Sequence, residues 1–255
     1  MIGCIIHFMK HTGGVYLENG CSICKRYGGR NCVAKVPLFS SLNSEEQDRI
    51  HSLIIRKKYR KGEFLLMEGD FQESLIILHS GKVKVFRYTQ DDKEQILYIL
   101  SEGDFFGERN LFQKLKSTCF IEALEDTDIC LISGNAFLAF LKNHPETSVK
   151  MLEEMSRRME RLEDALQYMG TKSSESRVTS VLVDFAAQFG RPQSGGILLE
   201  LPLSREGIAN YIGITRETVS RKLGLLQDEG LIEPIGNKKM LIPDLQKLEG
   251  SIKGI

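Results

Sequence analysis

Leu152, Met155, Met159, Leu162, Leu166 and Met169 recur at steps of 3, 4, 3, 4 and 3 along an otherwise charged stretch. Only an α-helix turns that spacing into a single stripe. Charges flank the stripe, among them Glu153, Arg157, Arg158, Glu160, Arg161 and Glu163. A strict 3.5-residue repeat on a charged helix suits a parallel, two-fold symmetric coiled coil with a second copy of the chain. The alternative is a helix that lays its stripe on its own domain. Residues 143–170 are expected to form this dimerisation helix, and the hydrophobic texture differs on its two sides.

On the N-terminal side, from Val36 to about Ser133, short apolar runs such as Phe64–Met67, Leu75–His79, Lys82–Tyr88 and Gln95–Leu100 alternate with glycines at Gly62, Gly69, Gly81 and Gly103. Many short strands at near-regular spacing, separated by turn residues, predict a small antiparallel barrel or roll. Residues 37–142 are read as this roll. On the C-terminal side, residues 171–176 read as a break and Arg177–Phe189 as an amphipathic helix, with Gly195-Gly196 opening a hairpin. Ser204 is placed to cap a short helix over Gly207–Tyr211, Gly213 to turn the chain, and Thr215 to cap a second helix through Gln227. Two helices joined by a glycine-bearing turn make a helix-turn-helix, whose second helix enters the DNA major groove. Leu231–Pro243, with Gly236 and Lys238-Lys239, has the form of a two-stranded wing. The fold class is therefore α+β: an antiparallel β-roll, a long dimerisation helix, and a winged helix-turn-helix over 171–255.

Within the second helix of that motif, Glu217, Ser220 and Arg221 lie at i, i+3 and i+4, on one face. Arginine can bond guanine O6 and N7 bidentately, glutamate can accept from cytosine N4, and serine can meet a base or a phosphate. Arg216 and Lys222 lie beside them, and Thr215 and Thr218 add short donors suited to phosphate. Val219, Leu223 and Leu226 fill the opposite face. A polar helix face is also what plain solvation produces. Charge does not decide between the two, because residues 171–255 hold 11 Lys or Arg against 10 Asp or Glu.

The stretch GCSICKRYGGRNC, residues 20–32, carries three of the chain's six cysteines. No stretch is long and apolar enough for a membrane helix and no secretory signal pattern opens the chain, so a cytoplasmic location with no membrane partner is expected. Clustered thiols in a reducing cytosol are metal ligands or redox groups more often than structural disulfides. Residues 1–36 are poor in apolar periodicity and are read as a segment that a metal would order. No Gly-x-Ser-x-Gly or phosphate-binding loop is present, and the five histidines fall into no catalytic or metal spacing with one another. An enzyme is not expected.

RETVSRKLGLLQDEGLI, the GDFFGE segment at 103–108, the long seam helix and the cysteine-bearing N-terminus together resemble the Crp/FNR family of bacterial transcription regulators, over about 220 residues. The ETVSR pentad is similar to the FNR branch. The resemblance implies a cyclic-nucleotide-binding-like roll and a homodimer, with Glu217, Ser220 and Arg221 reading an inverted repeat similar to TTGAT-N4-ATCAA, and RNA polymerase as a further partner. It also implies an oxygen-labile [4Fe-4S] cluster held by Cys21, Cys24, Cys32 and Cys130. The C-x2-C-x7-C spacing has a longer second gap than the family's usual pattern. If the strand around Cys130 alternates, Ile129 and Leu131 face one side while Asp128 and Cys130 face the other, so the thiol is expected to project away from an apolar face.

Three alternatives stay open on the residues. Four thiolates also suit tetrahedral zinc, and an N-terminal cysteine can form a disulfide switch with Cys119 or Cys130. Relatives that bind cyclic AMP use Gly-Glu for the ribose and an arginine before Ser or Thr for the phosphate. Gly107 and Glu108 are present here, but Lys116 stands where the arginine would, before Ser117 and Thr118. A lysine lacks the bidentate fork.

Overall fold

The computed structural model describes residues 15–17, 33, 36–113, 115–171, 173–236 and 238–252. The chain divides into two compact units, residues 1–87 with 97–159, and residues 88–96 with 160–255. Among the described residues, no helix is long and apolar enough to cross a membrane.

The first unit is built on short antiparallel strands. In chain order these are β1 (Val15–Leu17), β2 (Ile54–Tyr59), β3 (Phe64–Leu66), β4 (Ser74–Ser80), β5 (Val83–Tyr88), β6 (Glu94–Leu100), β7 (Phe105–Phe106), β8 (Phe120–Ala123) and β9 (Thr127–Ser133). One sheet runs β1-β2-β9-β4-β7 and the other β3-β8-β5-β6. The roll read from the glycine-punctuated runs is thus present, with each apolar run a strand. The glycines act through their backbone. Gly81 has φ +89°, and a Cβ there would clash with Thr127 Oγ1 and stand 2.8 Å from the Asp126 carbonyl oxygen, so neither the left-handed conformation nor the space admits a side chain.

Two apolar clusters form on opposite faces of the first sheet. One lies between the sheets and gathers Leu65, Leu78, Val85, Phe106, Ile121 and Ile129. The other is covered by helices and gathers Val33, Val36, Ile77, Cys130, Ile132, Phe137 and Phe140 with Ile50 and Met151. The covering helices are α1 (Ser44–Leu53), α2 (Glu108–Gln113), α3 (Gly134–Asn143) and the start of α4 (Pro145–Thr171). A capping box opens α1: Asn43 Oδ1 accepts from the Glu46 amide, and Glu46 Oε2 accepts from the Asn43 amide at 2.8 Å. The dimerisation helix expected over 143–170 is α4, 27 residues long and begun by a proline, which has no amide hydrogen to leave unsatisfied.

In the second unit, α4 is followed by α5 (Ser174–Phe189), whose cap Ser173 accepts from the Ser176 amide at 3.2 Å. The break after the seam is therefore shorter than the six residues expected, because a serine within it caps the next helix. A hairpin of β10 (Gly190–Gln193) and β11 (Gly196–Glu200) follows, then α6 (Arg205–Ile212), α7 (Arg216–Asp228), β12 (Glu233–Ile235), β13 (Lys239–Ile242) and α8 (Leu245–Gly250). The wing is larger than the sequence suggested. Ile197–Glu200 of β11 pairs with β13, making one four-stranded antiparallel sheet in the order β10-β11-β13-β12.

Gly81→Ala is expected to destabilise the first unit by about 2–3 kcal/mol, the cost of a forced left-handed residue plus displacement of the β9 backbone. Urea unfolding of this variant beside Gly69→Ala, where a Cβ meets nothing within 4 Å although φ is +87°, separates the clash from the backbone term.

Candidate nucleic-acid interface and thiol site

The helix-turn-helix assembles as its capping residues dictate. Ser204 Oγ accepts from the Gly207 amide at 3.1 Å and starts α6. Gly213, with φ +67°, ends that helix in the left-handed conformation, which lets the chain turn sharply into α7. Thr215 Oγ1 accepts from the Thr218 amide at 3.3 Å and starts α7. Ile208, Ala209 and Ile212 of α6 and Val219, Leu223 and Leu226 of α7 are buried, which fixes the rotation of both helices. The opposite face of α7 carries Arg216, Glu217 and Arg221 exposed, with Thr218 and Ser220 half-buried.

Lys222 departs from the sequence expectation. It is 5% exposed, because it lies three residues after Val219 and four before Leu226, on the inward face of the helix. Contrary to the expectation that it lies beside the base-reading face, its side chain is directed into the unit and not toward a groove. Two contacts with no local signature in the sequence reach the polar face from other elements. Arg221 Nη2 donates to Glu175 Oε1, in the first turn of α5, at 2.9 Å. Arg205 Nη1 donates to Ser220 Oγ at 3.4 Å.

Along α4 the apolar repeat splits. Leu152, Met159 and Leu166 are 63%, 60% and 70% exposed, with Leu162 and Val149 also uncovered. Met155 is different: it is partly buried and packs on the helix-covered core of its own unit. The side chain of Met169 lies outside the described residues. Val149, which lies outside the six-residue repeat, extends the open row by three residues toward the helix start. Arg158, read as a flanking solvent charge, is only 8% exposed. Its Nη1 lies 3.2 Å from Glu108 Oε1, its Nη2 donates to the Phe105 carbonyl at 2.8 Å, and its guanidinium lies over the rings of Tyr98 and Phe105. Burial raises the Tyr98 phenol to about 12, against the opposing pull of Arg158, so the ring stays neutral beside the ion pair.

The Gly107-Glu108 pair and the Lys116–Thr118 stretch both belong to the first unit. Gly107 has φ +92°, and a Cβ there would press on the Ser74 carbonyl oxygen. Glu108 is buried and engaged by Arg158, Ser117 Oγ donates to the Cys119 carbonyl at 2.8 Å, and Lys116 is exposed. His144, a buried histidine among the described residues, stacks on Phe140 and has its Nδ1 3.3 Å from both Glu46 Oε1 and Glu146 Oε1. It joins α1 to the start of α4.

Cys130 is 5% exposed. Contrary to the expectation that its thiol leaves an apolar face, the side chain enters the helix-covered cluster with Ile132, while Ile129 enters the other. The cause is that β9 lies between β2 and β4 in a sheet buried on both faces, so its alternation runs between two cores and not between core and solvent. A small crevice against the thiol is lined by Val33, Val36, Phe39, Ile54, Ile77 and His79. Val33, the residue after Cys32 in the chain, is 1% exposed there. Cys21, Cys24 and Cys32 lie outside the described residues. Cys119 is half-buried beside the inter-sheet core.

Comparison with known proteins agrees with this architecture. The family model of the cyclic nucleotide-binding domain matches residues 56–144, and that of the Crp-like helix-turn-helix domain matches residues 176–250. The chain is 32% identical over 212 residues to the "Probable transcriptional regulator flp" of Lacticaseibacillus casei, covering 83% of this chain and 94% of that one. It is 29% identical over 221 residues to the fumarate and nitrate reduction regulatory protein of Salmonella typhi, covering 84% and 85%. The solved structure of a CooA mutant from Carboxydothermus hydrogenoformans superposes with a TM-score of 0.67 at 29% identity, covering 79% and 88%.

Arg158→Met is expected to cost about 3–5 kcal/mol of stability, because it leaves the Glu108 carboxylate buried without its partner. Adding Glu108→Gln to that variant should recover part of the loss in urea titrations, since a neutral amide is cheaper to bury than an unpaired charge.

Proposed function

Because the chain belongs to the Crp/FNR family of DNA-binding transcription regulators, we propose that it acts in the cytoplasm as an FNR-type homodimer that binds an inverted repeat and senses oxygen through a [4Fe-4S] cluster. It works by binding and not by catalysis, with RNA polymerase as the downstream partner. The cluster's ligands are Cys21, Cys24, Cys32 and Cys130. When bound, it supplies a centre whose thiolate ligation is disrupted by oxidants.

The observation that carries the sensing reading is the position of Cys130. Its buried thiol shares a crevice with Val33 and Val36, so the chain enters the roll beside the one barrel cysteine in the proposed ligand set, directly after Cys32. Residues that ligate together have to meet, and the sequence separation of 97 between Val33 and Cys130 is bridged at that crevice. Support for the dimer comes from the open row Val149, Leu152, Met159, Leu162 and Leu166 on α4. Such a stripe on a charged helix is what a second copy would cover. Support for the operator comes from Glu217, Ser220 and Arg221 sharing the polar face of α7, away from its buried row.

The family model's name also raises a cyclic-nucleotide reading. Two observations weigh against it. One oxygen of the Glu108 carboxylate, Oε1, is engaged by Arg158, and Lys116 offers a point charge where a guanidinium fork would grip a phosphate.

Anaerobically purified protein is expected to be brown, with about four iron and four sulfide per subunit, and to bleach in air. Cys130→Ser should abolish the colour and the iron. Zinc in place of iron, or a colourless protein whose only change in air is a disulfide, overturns the sensing reading and leaves the DNA reading intact. Met159→Glu is expected to place like charges across the seam. Sedimentation should then show monomer, and affinity for a two-half-site operator should fall by about 100-fold or more through lost bivalency.

A further inference from the structure

The polar face of α7 is supported from outside the helix-turn-helix. Glu175 is the second residue of α5, where the cap is Ser173 and the amides of the first turn favour a carboxylate. From there Glu175 Oε1 accepts from Arg221 Nη2 at 2.9 Å. The same turn is tied to α6 by Arg177, whose Nη1 donates to the Ile212 carbonyl at 3.0 Å. The carboxylate therefore sits on a backbone fastened to the motif it serves. Arg221 stays 65% exposed at its side chain while bonded, and Glu175 is 33% exposed. The contact engages Nη2, and a side chain this exposed still has N–H groups that a partner can reach.

We propose that Glu175 is a positioning residue for DNA recognition, one that holds the Arg221 guanidinium so that its remaining N–H groups meet a guanine edge in the major groove. The inference rests on the reading of α7 as the recognition helix. An arginine already fixed in plane loses less rotamer freedom when it binds, and its fork is presented in the orientation that bidentate contact to O6 and N7 demands. The carboxylate does not itself touch the base. A carboxylate makes no attractive contact with phosphate, so removing it does not weaken sequence-independent binding.

The test is a binding-site selection from random duplex DNA, followed by titrations, with wild-type protein, Glu175→Gln, Glu175→Ala and Arg221→Ala. Wild-type protein should select a half-site whose guanine preference disappears in Arg221→Ala. If the two proteins select the same site, the recognition-helix reading fails at that step, before Glu175 is in question. Given that preference, both Glu175 variants should bind the selected site about 3- to 10-fold more weakly, and their preference for guanine over adenine at the position read by Arg221 should fall by a similar factor. Affinity for unrelated DNA and the salt dependence should stay as in wild type. In the Arg221→Ala background, Glu175→Ala should have no further effect on discrimination. The proposal is overturned if the Glu175 variants keep full guanine preference, which would make the contact an ordinary surface ion pair. It is equally overturned if they bind the selected site more tightly with preference intact, which would make Glu175 a competitor of the DNA. Circular dichroism of each variant separates these outcomes from loss of fold.

Discussion

The ion pair between Arg158 and Glu108 sets the rotation of the long helix. A guanidinium buried against Phe105 and Tyr98, with one bond to a carboxylate and one to a backbone carbonyl, cannot turn toward solvent without leaving Glu108 charged and alone in an apolar surround. Met151 and Met155 lie on the same side of α4 and pack into the helix-covered core. With that side committed, the remaining apolar residues, Leu152, Met159 and Leu166 above all, are turned outward as a continuous row. The dimer proposed above follows from this phase. A helix rotated by a third of a turn would bury the seam and expose the charge.

The same sheet that receives this helix also gives the thiol its setting. Strand β9 is flanked by β2 and β4 and is covered on both faces, so consecutive side chains alternate between two cores. Cys130 is accommodated as a small apolar residue would be, in a crevice that also receives Val33 and Val36. A thiol so placed is shielded from bulk solvent and is reached on the chain's N-terminal side by Val33 and Val36.

On the DNA-reading side, burial and capping leave little freedom. The threonine and serine caps place the starts of α6 and α7, the left-handed glycine between them fixes the turn, and the apolar rows of both helices fix their rotation. What remains outward on α7 is a short polar face whose arginine and serine are each held by a side chain from elsewhere in the unit, Glu175 and Arg205. The recognition surface is thus partly organised before any partner arrives, which lowers the ordering cost of binding.

Much of this architecture was legible in the chain. Glycines between apolar runs marked the strands, Ser204, Gly213 and Thr215 marked the helix-turn-helix, and the 3.5-residue repeat marked α4, because each of these signals is local and acts through backbone geometry or through one helix's own periodicity. The sequence could not say which charges on α4 face water, because Arg158 and Glu108 are 50 residues apart and their pairing exists only after the helix has docked. Nor could it place Lys222 inward, count the strands beside the wing, or put Cys130 between two cores. Local pattern determined which elements form and where they start and stop. Tertiary structure alone decided which face of each element is buried, since burial belongs to the surroundings of a side chain and not to its neighbours in the chain.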